Sequence, residues 1–119
     1  MANILIIEDN IAIGRVVQMA LEDTGHNVEW CKSGTEALDV LERELPDLVM
    51  TDLGIPGKSG KEIVEKMRSE YRLLKVPAII MTANLPDSYT FPEEKSYQGL
   101  LVKPFNLDDL KDTVQRLVS

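Results

Sequence analysis

Asn3-Ile4-Leu5-Ile6-Ile7-Glu8-Asp9 opens the chain, and Asp47-Leu48-Val49-Met50-Thr51-Asp52 repeats its plan. Each is a short unbroken apolar run that ends in carboxylates. Runs of this length and composition suit strands covered on both faces, as in a parallel sheet. Two further runs follow the same plan. Pro77-Ala78-Ile79-Ile80-Met81 leads to Thr82, and Leu100-Leu101-Val102 leads to Lys103-Pro104. If neighbouring strands run parallel, Glu8, Asp9 and Asp52 meet at one edge of the sheet, with a hydroxyl and an ammonium beside them. Carboxylates held that close repel, which raises their pKa values or demands a cation. A hard divalent ion such as Mg²⁺ takes oxygen ligands, often one or two carboxylates plus waters and a phosphate. Acids, a hydroxyl and a lysine at strand ends therefore suit the handling of a phosphoryl group on a carboxylate.

Between the apolar runs lie amphipathic stretches, so the pattern alternates five times. Strands are expected near 3–8, 27–31, 47–51, 76–82 and 99–102. A helix near 10–24 carries Ile13, Val16, Val17, Ala20 and Leu21 at helical spacing, and Gly25 ends it. Ser33 with Glu36 three residues on reads as a capping box. The helix it starts should bury Ala37, Leu38 and Leu41 before Pro46. A third helix near 59–70 turns Ile63, Val64 and Met67 inward. The last starts from Asn106, a good N-cap, with Leu107, Leu110, Val114 and Leu117 on one stripe. Strand-helix alternation implies an α/β fold with parallel pairing and right-handed crossovers. Ligands of such sheets bind beyond the carboxyl ends of the strands, at the switch point. The segment 83–98 breaks the pattern, because Pro86 and Pro92 interrupt it and Tyr89, Thr90 and Phe91 form helix poorly. One short helical turn or an irregular loop is expected there.

Composition narrows the function. The 119 residues suit one domain over 1–119 with a proper core. The net charge of −7, from 13 basic and 20 acidic residues, disfavours nucleic acid and anionic membrane surfaces and favours a cationic cofactor. The single cysteine, Cys31, has no internal partner and fits a reducing, cytoplasmic setting. No apolar run approaches the ~20 residues of a membrane span. No signal-peptide pattern precedes the first strand.

Taken together, Glu8-Asp9, Asp52-Leu53-Gly54-Ile55-Pro56 with Gly60 beyond, Thr82-Ala83 and Lys103-Pro104-Phe105 resemble the receiver domain of a two-component response regulator. Each motif is weak alone; their order and placement at successive strand ends carry the resemblance along the whole chain. It implies a doubly wound, flavodoxin-like sheet of five parallel strands in the order 2-1-3-4-5, as in the chemotaxis regulator. It also implies that Asp52 accepts a phosphoryl group from a histidine kinase or phosphotransfer protein. Glu8, Asp9, Asp52 and the Gly54 carbonyl would hold Mg²⁺. Thr82 would bind a phosphoryl oxygen, Lys103 would pair with the acids and then the phosphate, and the Lys103-Pro104 bond would be cis. The domain would be a signalling module assisting its own phosphorylation and dephosphorylation, not a conventional enzyme. It would act on a downstream output domain or protein through the 83–105 surface. One departure stands out. The family usually carries Tyr or Phe three residues before the lysine, where this chain has Leu100, so the response is expected in 83–98 instead.

Each residue also has a plainer role. Asp52 can start an Asx-turn, Glu8 and Asp9 can flank the Asn10 N-cap, Thr82 can be an ordinary strand residue, and Lys103 a solvated lysine. Trp30 and Cys31 read as packing or exposed residues of an edge strand, His26 as a turn residue, and Met50 and Met81 as core. A Mg²⁺-dependent aspartyl-phosphate phosphatase would need a second acid just after its nucleophile, and Asp52-Leu53-Gly54 lacks one. A flavodoxin-like electron carrier would need a hydroxyl- and Gly-rich phosphate loop after the first strand, where Glu8-Asp9-Asn10 would repel phosphate. A receiver-like module that is never phosphorylated would not require the full set of acids, hydroxyl and lysine. The oligomeric state, the kinase and the choice between a stand-alone regulator and one domain of a longer protein are left open.

Overall fold

The computed structural model describes residues 1–84, 86–87 and 89–118. Five strands, β1 (Asn3–Ile7), β2 (Asn27–Cys31), β3 (Leu48–Asp52), β4 (Ala78–Thr82) and β5 (Gly99–Val102), form one sheet in the order β2-β1-β3-β4-β5. Every pairing is parallel. Four α-helices lie between and after the strands among the described residues: α1 (Ile11–Asp23), α2 (Gly34–Arg43), α3 (Gly60–Ser69) and α4 (Leu107–Val118). The parallel pairing expected from the alternation, and the order that the resemblance implies, are those observed.

The apolar runs are continuous because both sheet faces are covered. Side chains alternate across a strand. Leu5, Ile7, Val49, Ala78 and Ile80 therefore pack with α2 and α3, through Ala37, Val40, Leu41, Ile63, Val64 and Met67. Their neighbours Ile4, Ile6, Leu48, Met50, Ile79 and Met81 pack with α1 and α4, through Val17, Ala20, Leu21, Leu110 and Val114. Burial of each such side chain contributes roughly 1.5–3 kcal/mol. Two sheet faces packed this way hold the strand ends, and hence the site, in a rigid frame.

Several local expectations need correction. Val16 lies 48% exposed, because the inward face of α1 runs through Gly14, Val17 and Leu21, and position 16 is turned away from it. On α2, Val40 is buried and Leu38 sits at the rim of the core. Leu107, the first residue of α4, is 41% exposed, and Leu110 and Val114 make the contact with the sheet. At Ser33, the hydroxyl caps the Glu36 N–H, but the Glu36 carboxylate accepts from Lys32 N–H, so the reciprocal half of the box is displaced by one residue. A complete capping box starts α3 instead, with Ser59 and Glu62 each accepting the other's N–H. The pattern Ser59-x-x-Glu62 carries that signal in the sequence. Gly25, at φ 91°, ends α1 as expected. Asn106 accepts Asp109 N–H and caps α4.

No α-helix forms between β4 and β5 among the described residues. The chain there makes bends and turns and one 3₁₀ turn, Glu94–Ser96. Leu85 and Ser88, which belong to the expected loop, lie outside the described residues. Phe91 is buried in the core beside Tyr97, their ring centroids 6.1 Å apart. Arg68 of α3 replaces part of the missing helix. Its guanidinium donates to the carbonyls of Leu73, Leu74, Val76 and Ser96 and to Gln98 Oε1.

Cys31 is 2% exposed, and burial, followed by the charge of Glu36, pushes its thiol up from 9.0 to about 12. Only the thiolate reacts with disulfide reagents. At pH 8 the native thiol should therefore react far more slowly than an ordinary cysteine, and its burial adds steric protection. Ellman's reagent should titrate it only after denaturant is added. Rapid reaction of the native protein would refute this placement.

Candidate functional site

The switch point of the sheet lies between β1 and β3, where the chain winds outward in opposite directions. Glu8 follows β1, Asp52 is the last residue of β3, Thr82 the last of β4, and Lys103 follows β5. Asp52 and Thr82 thus remain within the ladder, where their strands still pair: Asp52 lies opposite Met81 and Thr82 opposite Val102. This fixes their directions more firmly than a loop would.

Glu8 is fully buried and Asp9 is exposed. One carboxylate oxygen from each of Glu8, Asp9 and Asp52 lies within 4.8 Å of the others. Lys103 joins this group from the end of β5. Its Nζ donates to Glu8 Oε1 at 2.7 Å and to Asp52 Oδ2 at 2.7 Å. The other Glu8 oxygen accepts Asn10 N–H, and Asn10 itself caps α1 by accepting Ile13 N–H. Asp52 Oδ1 accepts Leu53 N–H at 2.6 Å and Gly54 N–H at 3.3 Å. The plainer Asx-turn role of Asp52 is therefore present together with its place in the acidic group. One oxygen shapes the turn and the other faces Lys103. Gly54 follows in that turn and lines the same cavity.

Electrostatics agree with the geometry. Burial raises the Glu8 carboxyl above its ordinary 4.5, and the Lys103 and Asn10 hydrogen bonds offset part of that rise. Burial alone would lower Lys103, but its bonds to Asp52 and Glu8 prevail and hold it above its ordinary 10.5. Three hard-oxygen acids with one ammonium between two of them leave room for a further cation. That donor set fits a small divalent ion and not a soft one.

Thr82 is 2% exposed, and its hydroxyl oxygen accepts Asn84 N–H at 3.1 Å. Lys103 N–H donates to the Thr82 carbonyl at 2.7 Å, which ties β4 to β5 at the site. The Lys103-Pro104 peptide is cis. A cavity of about 380 Å³ opens over Asp52, with Gly54, Thr82, Asn84 and Lys103 on its wall.

Sequence reasoning missed some contributors. Trp30 is more than a packing residue of an edge strand. Its indole N–H donates to the Glu8 carbonyl at 2.9 Å, and its ring lies where a Cβ on Gly14 would sit, 2.1 Å away. Ser59, Lys61, Tyr89 and Thr90 also line the cavity over Asp52. No periodic pattern marks these residues, since their meeting depends on how the α3 start and the 86–92 stretch face each other. His26 accepts Ala2 N–H and serves the N-terminus, far in sequence from the acids.

This fold with this strand-end constellation is that of a phosphorelay receiver. Residues 4–115 match the response regulator receiver domain, and the chain belongs to that family. A receiver is a signalling module, and phosphorylation by a histidine kinase is the general role of the family. The chain is 33% identical over 115 residues to sporulation initiation phosphotransferase F of Bacillus subtilis, covering 95% of this chain and 90% of that protein. Among solved structures, it resembles chemotaxis response regulator CheY4 of Vibrio cholerae at 30% identity and TM-score 0.86, with 98% of each chain covered. It also resembles the receiver domain of sensor histidine kinase PA1611 from Pseudomonas aeruginosa at 27% identity and TM-score 0.89, covering 98% of this chain and 97% of that one. That structure has a magnesium ion coordinated in its active site cleft. The chain spans 56% and 52% of two other curated relatives it matches, about half their length. No helix among the described residues is long and apolar enough to cross a membrane.

Proposed function

We propose that residues 1–119 act as a single receiver domain in which Asp52 is the phosphoacceptor, Glu8, Asp9, Asp52 and the Gly54 carbonyl hold Mg²⁺, and Thr82 and Lys103 receive the phosphoryl oxygens. The carrying observation is the Lys103 ammonium bridging Glu8 and Asp52 at 2.7 Å each, beside a three-carboxylate group. The magnesium in the cleft of the Pseudomonas relative supports the choice of metal. Bound Mg²⁺ would screen the incoming phosphate from the carboxylates.

The chain's own residues do the rest by position and charge. An Asp52 oxygen forms a bond to phosphorus while the bond from phosphorus to the donor's leaving group breaks. The Leu53 and Gly54 N–H groups hold one Asp52 oxygen and so orient the other. Lys103 can follow the new charge, because it already rests on Asp52 and its ammonium acts as a point charge. Thr82 accepts Asn84 N–H, which leaves its own proton available to donate to a phosphoryl oxygen. Water in line with the Asp52 phosphate would reverse the modification. The domain thereby assists both its phosphorylation and its dephosphorylation, with a histidine kinase or phosphotransfer protein as donor.

A move of Thr82 toward phosphate pulls first on Asn84. Leu100 packs against the core and has no polar tip to exchange between water and interior. The response therefore belongs to the 83–105 surface and mainly to 83–98, where an order change can reach an output domain or protein. A cytoplasmic setting, no binding of nucleic acid by this domain and no membrane attachment complete the reading.

Mg²⁺ tests the metal assignment. At ~100-fold excess over Kd, a ligand that binds only the folded state adds about 2.7 kcal/mol. Mg²⁺ should raise the melting temperature, and Asp9→Asn should remove most of the rise. Without metal, the same variant should melt at or above the wild-type temperature, since one repelling charge is gone. Equal Mg²⁺ shifts in wild type and variant would place the metal elsewhere.

A further inference from the structure

The cavity over Asp52 contains a second lysine that the assignment above leaves without a role. Lys61 is the second residue of α3, and its side chain lines the cavity with Asp52, Gly54, Thr82 and Lys103. Its Nζ donates to the Tyr89 carbonyl at 3.3 Å, across a sequence separation of 28 residues. The partner is a neutral carbonyl at a long distance, so the tether is weak. Lys103, by contrast, is held by two carboxylates at 2.7 Å each.

The stretch that presents Tyr89 is built for this. Asp87 accepts N–H from Tyr89 and Thr90 and the Thr90 hydroxyl, which shapes a tight turn. Phe91 is buried in the core and anchors the turn from behind. Tyr89 as a residue is 87% exposed, and what it offers Lys61 is its backbone carbonyl. A phosphoryl group on Asp52 replaces the single carboxylate charge with a phosphoryl dianion, about one further negative charge at this spot, carried on oxygens that reach out into the cavity. Lys103 is bonded to two of the three acids already there, and even with the proposed Mg²⁺ counted the phosphoryl group leaves the site with excess negative charge. A charge-assisted bond to phosphoryl oxygen is roughly twice as strong as one to a neutral carbonyl.

We propose that Lys61 is a second phosphoryl-binding cation of this site, and that it leaves the Tyr89 carbonyl when the phosphoryl group arrives. Lys61 raises the local concentration of the anionic donor and then clamps its phosphoryl oxygens. Its departure releases the turn at Asp87, Tyr89 and Thr90, and so links occupancy of the site to the 83–98 surface. This rests on Asp52 being the acceptor.

The test uses the full chain with acetyl phosphate in saturating Mg²⁺, followed by intact-protein mass spectrometry. At low ionic strength, Lys61→Gln should acquire the Asp52 phosphoryl group roughly three- to tenfold more slowly than wild type. The deficit should shrink as salt is added, because screening weakens attraction at this range. Lys61→Arg should restore the rate to within about twofold, since it keeps the charge. Amide exchange at Tyr89 and Thr90 should rise on phosphorylation of the wild type and should already be raised in unphosphorylated Lys61→Gln. A wild-type rate in Lys61→Gln at low salt, or a deficit that salt leaves unchanged, overturns the role of Lys61 while the acceptor assignment stands. A wild type that takes no phosphoryl group overturns both.

Discussion

Incubated with acetyl phosphate and Mg²⁺, the chain should gain the mass of one phosphoryl group, and Asp52→Asn should gain none. The effect should be complete and not graded, because the substitution removes three things at once. It replaces the attacking carboxylate oxygen with an amide. It deletes one of the charges that holds Lys103 in place at 2.7 Å. It also removes one of the three carboxylates that could hold a metal ion. Glu8 and Asp9 offer oxygens nearby, but Glu8 is fully buried and already shared between Lys103 and Asn10 N–H. Asp9 is exposed, outside the sheet ladder that fixes Asp52. Peptide mapping should place the modification on the fragment containing Asp52. A full-strength adduct in Asp52→Asn would move the acceptor to another residue.

Gly60→Ala should destabilise the domain by about 2–3 kcal/mol, at the upper end of what overpacking costs. A Cβ at position 60 would lie 2.2 Å from the Asp52 carbonyl oxygen and 2.9 Å from Leu53 Cα. These are backbone atoms, so no rotamer change relieves the clash. Gly60 N–H also donates to the Leu53 carbonyl, which locks the start of α3 against the end of β3. Either α3 moves or Asp52 does, so phosphorylation should slow as well. The melting temperature should fall by roughly 8 °C or more for a domain of this size. Gly54→Ala is the matched control. A Cβ there meets nothing within 4 Å, and its stability should stay within about 0.5 kcal/mol of wild type. Equal melting of Gly60→Ala and Gly54→Ala would remove the close α3–β3 approach from the account of the site.

The close approach also explains why Gly60 accompanies Asp52 in the sequence. Helix α3 must begin beside the end of β3 to bring Ser59 and Lys61 to the cavity wall. Only a residue without a side chain lets the two backbones pass so near. Gly34 serves α2 in the same way, where a Cβ would lie 1.8 Å from the Lys58 carbonyl oxygen. The turn between β3 and α3 is thus wedged between two helix starts. Its rigidity steadies the Leu53 and Gly54 N–H groups that orient Asp52.

Much of this protein was written locally. Four apolar runs specified buried parallel strands, because only a sheet covered on both faces accepts unbroken apolar sequence; the edge strand β2, with Asn27 and Glu29 exposed, is the exception. The residues ending those runs specified the acidic edge, since topology carries strand ends to one place once pairing is parallel. Gly25, Asn10 and Asn106 punctuated the helices through backbone chemistry that needs no distant partner. Pro86 and Pro92 likewise announced the missing fourth helix, since proline removes a donor wherever the chain goes.

Tertiary structure alone decided the rest. Which face of α1 turns inward depended on Trp30 covering Gly14, so Val16 looked apolar enough for the core yet lies outside it. The full burial of Glu8, and hence its raised pKa, came from packing that no spacing of acids reveals. Nothing along the chain marks Lys61, whose bond to the Tyr89 carbonyl spans 28 residues and exists only in the folded domain. Periodicity and motif report what neighbours along the chain can do. They are silent about contacts between irregular segments, whose positions follow from the summed packing of the whole domain.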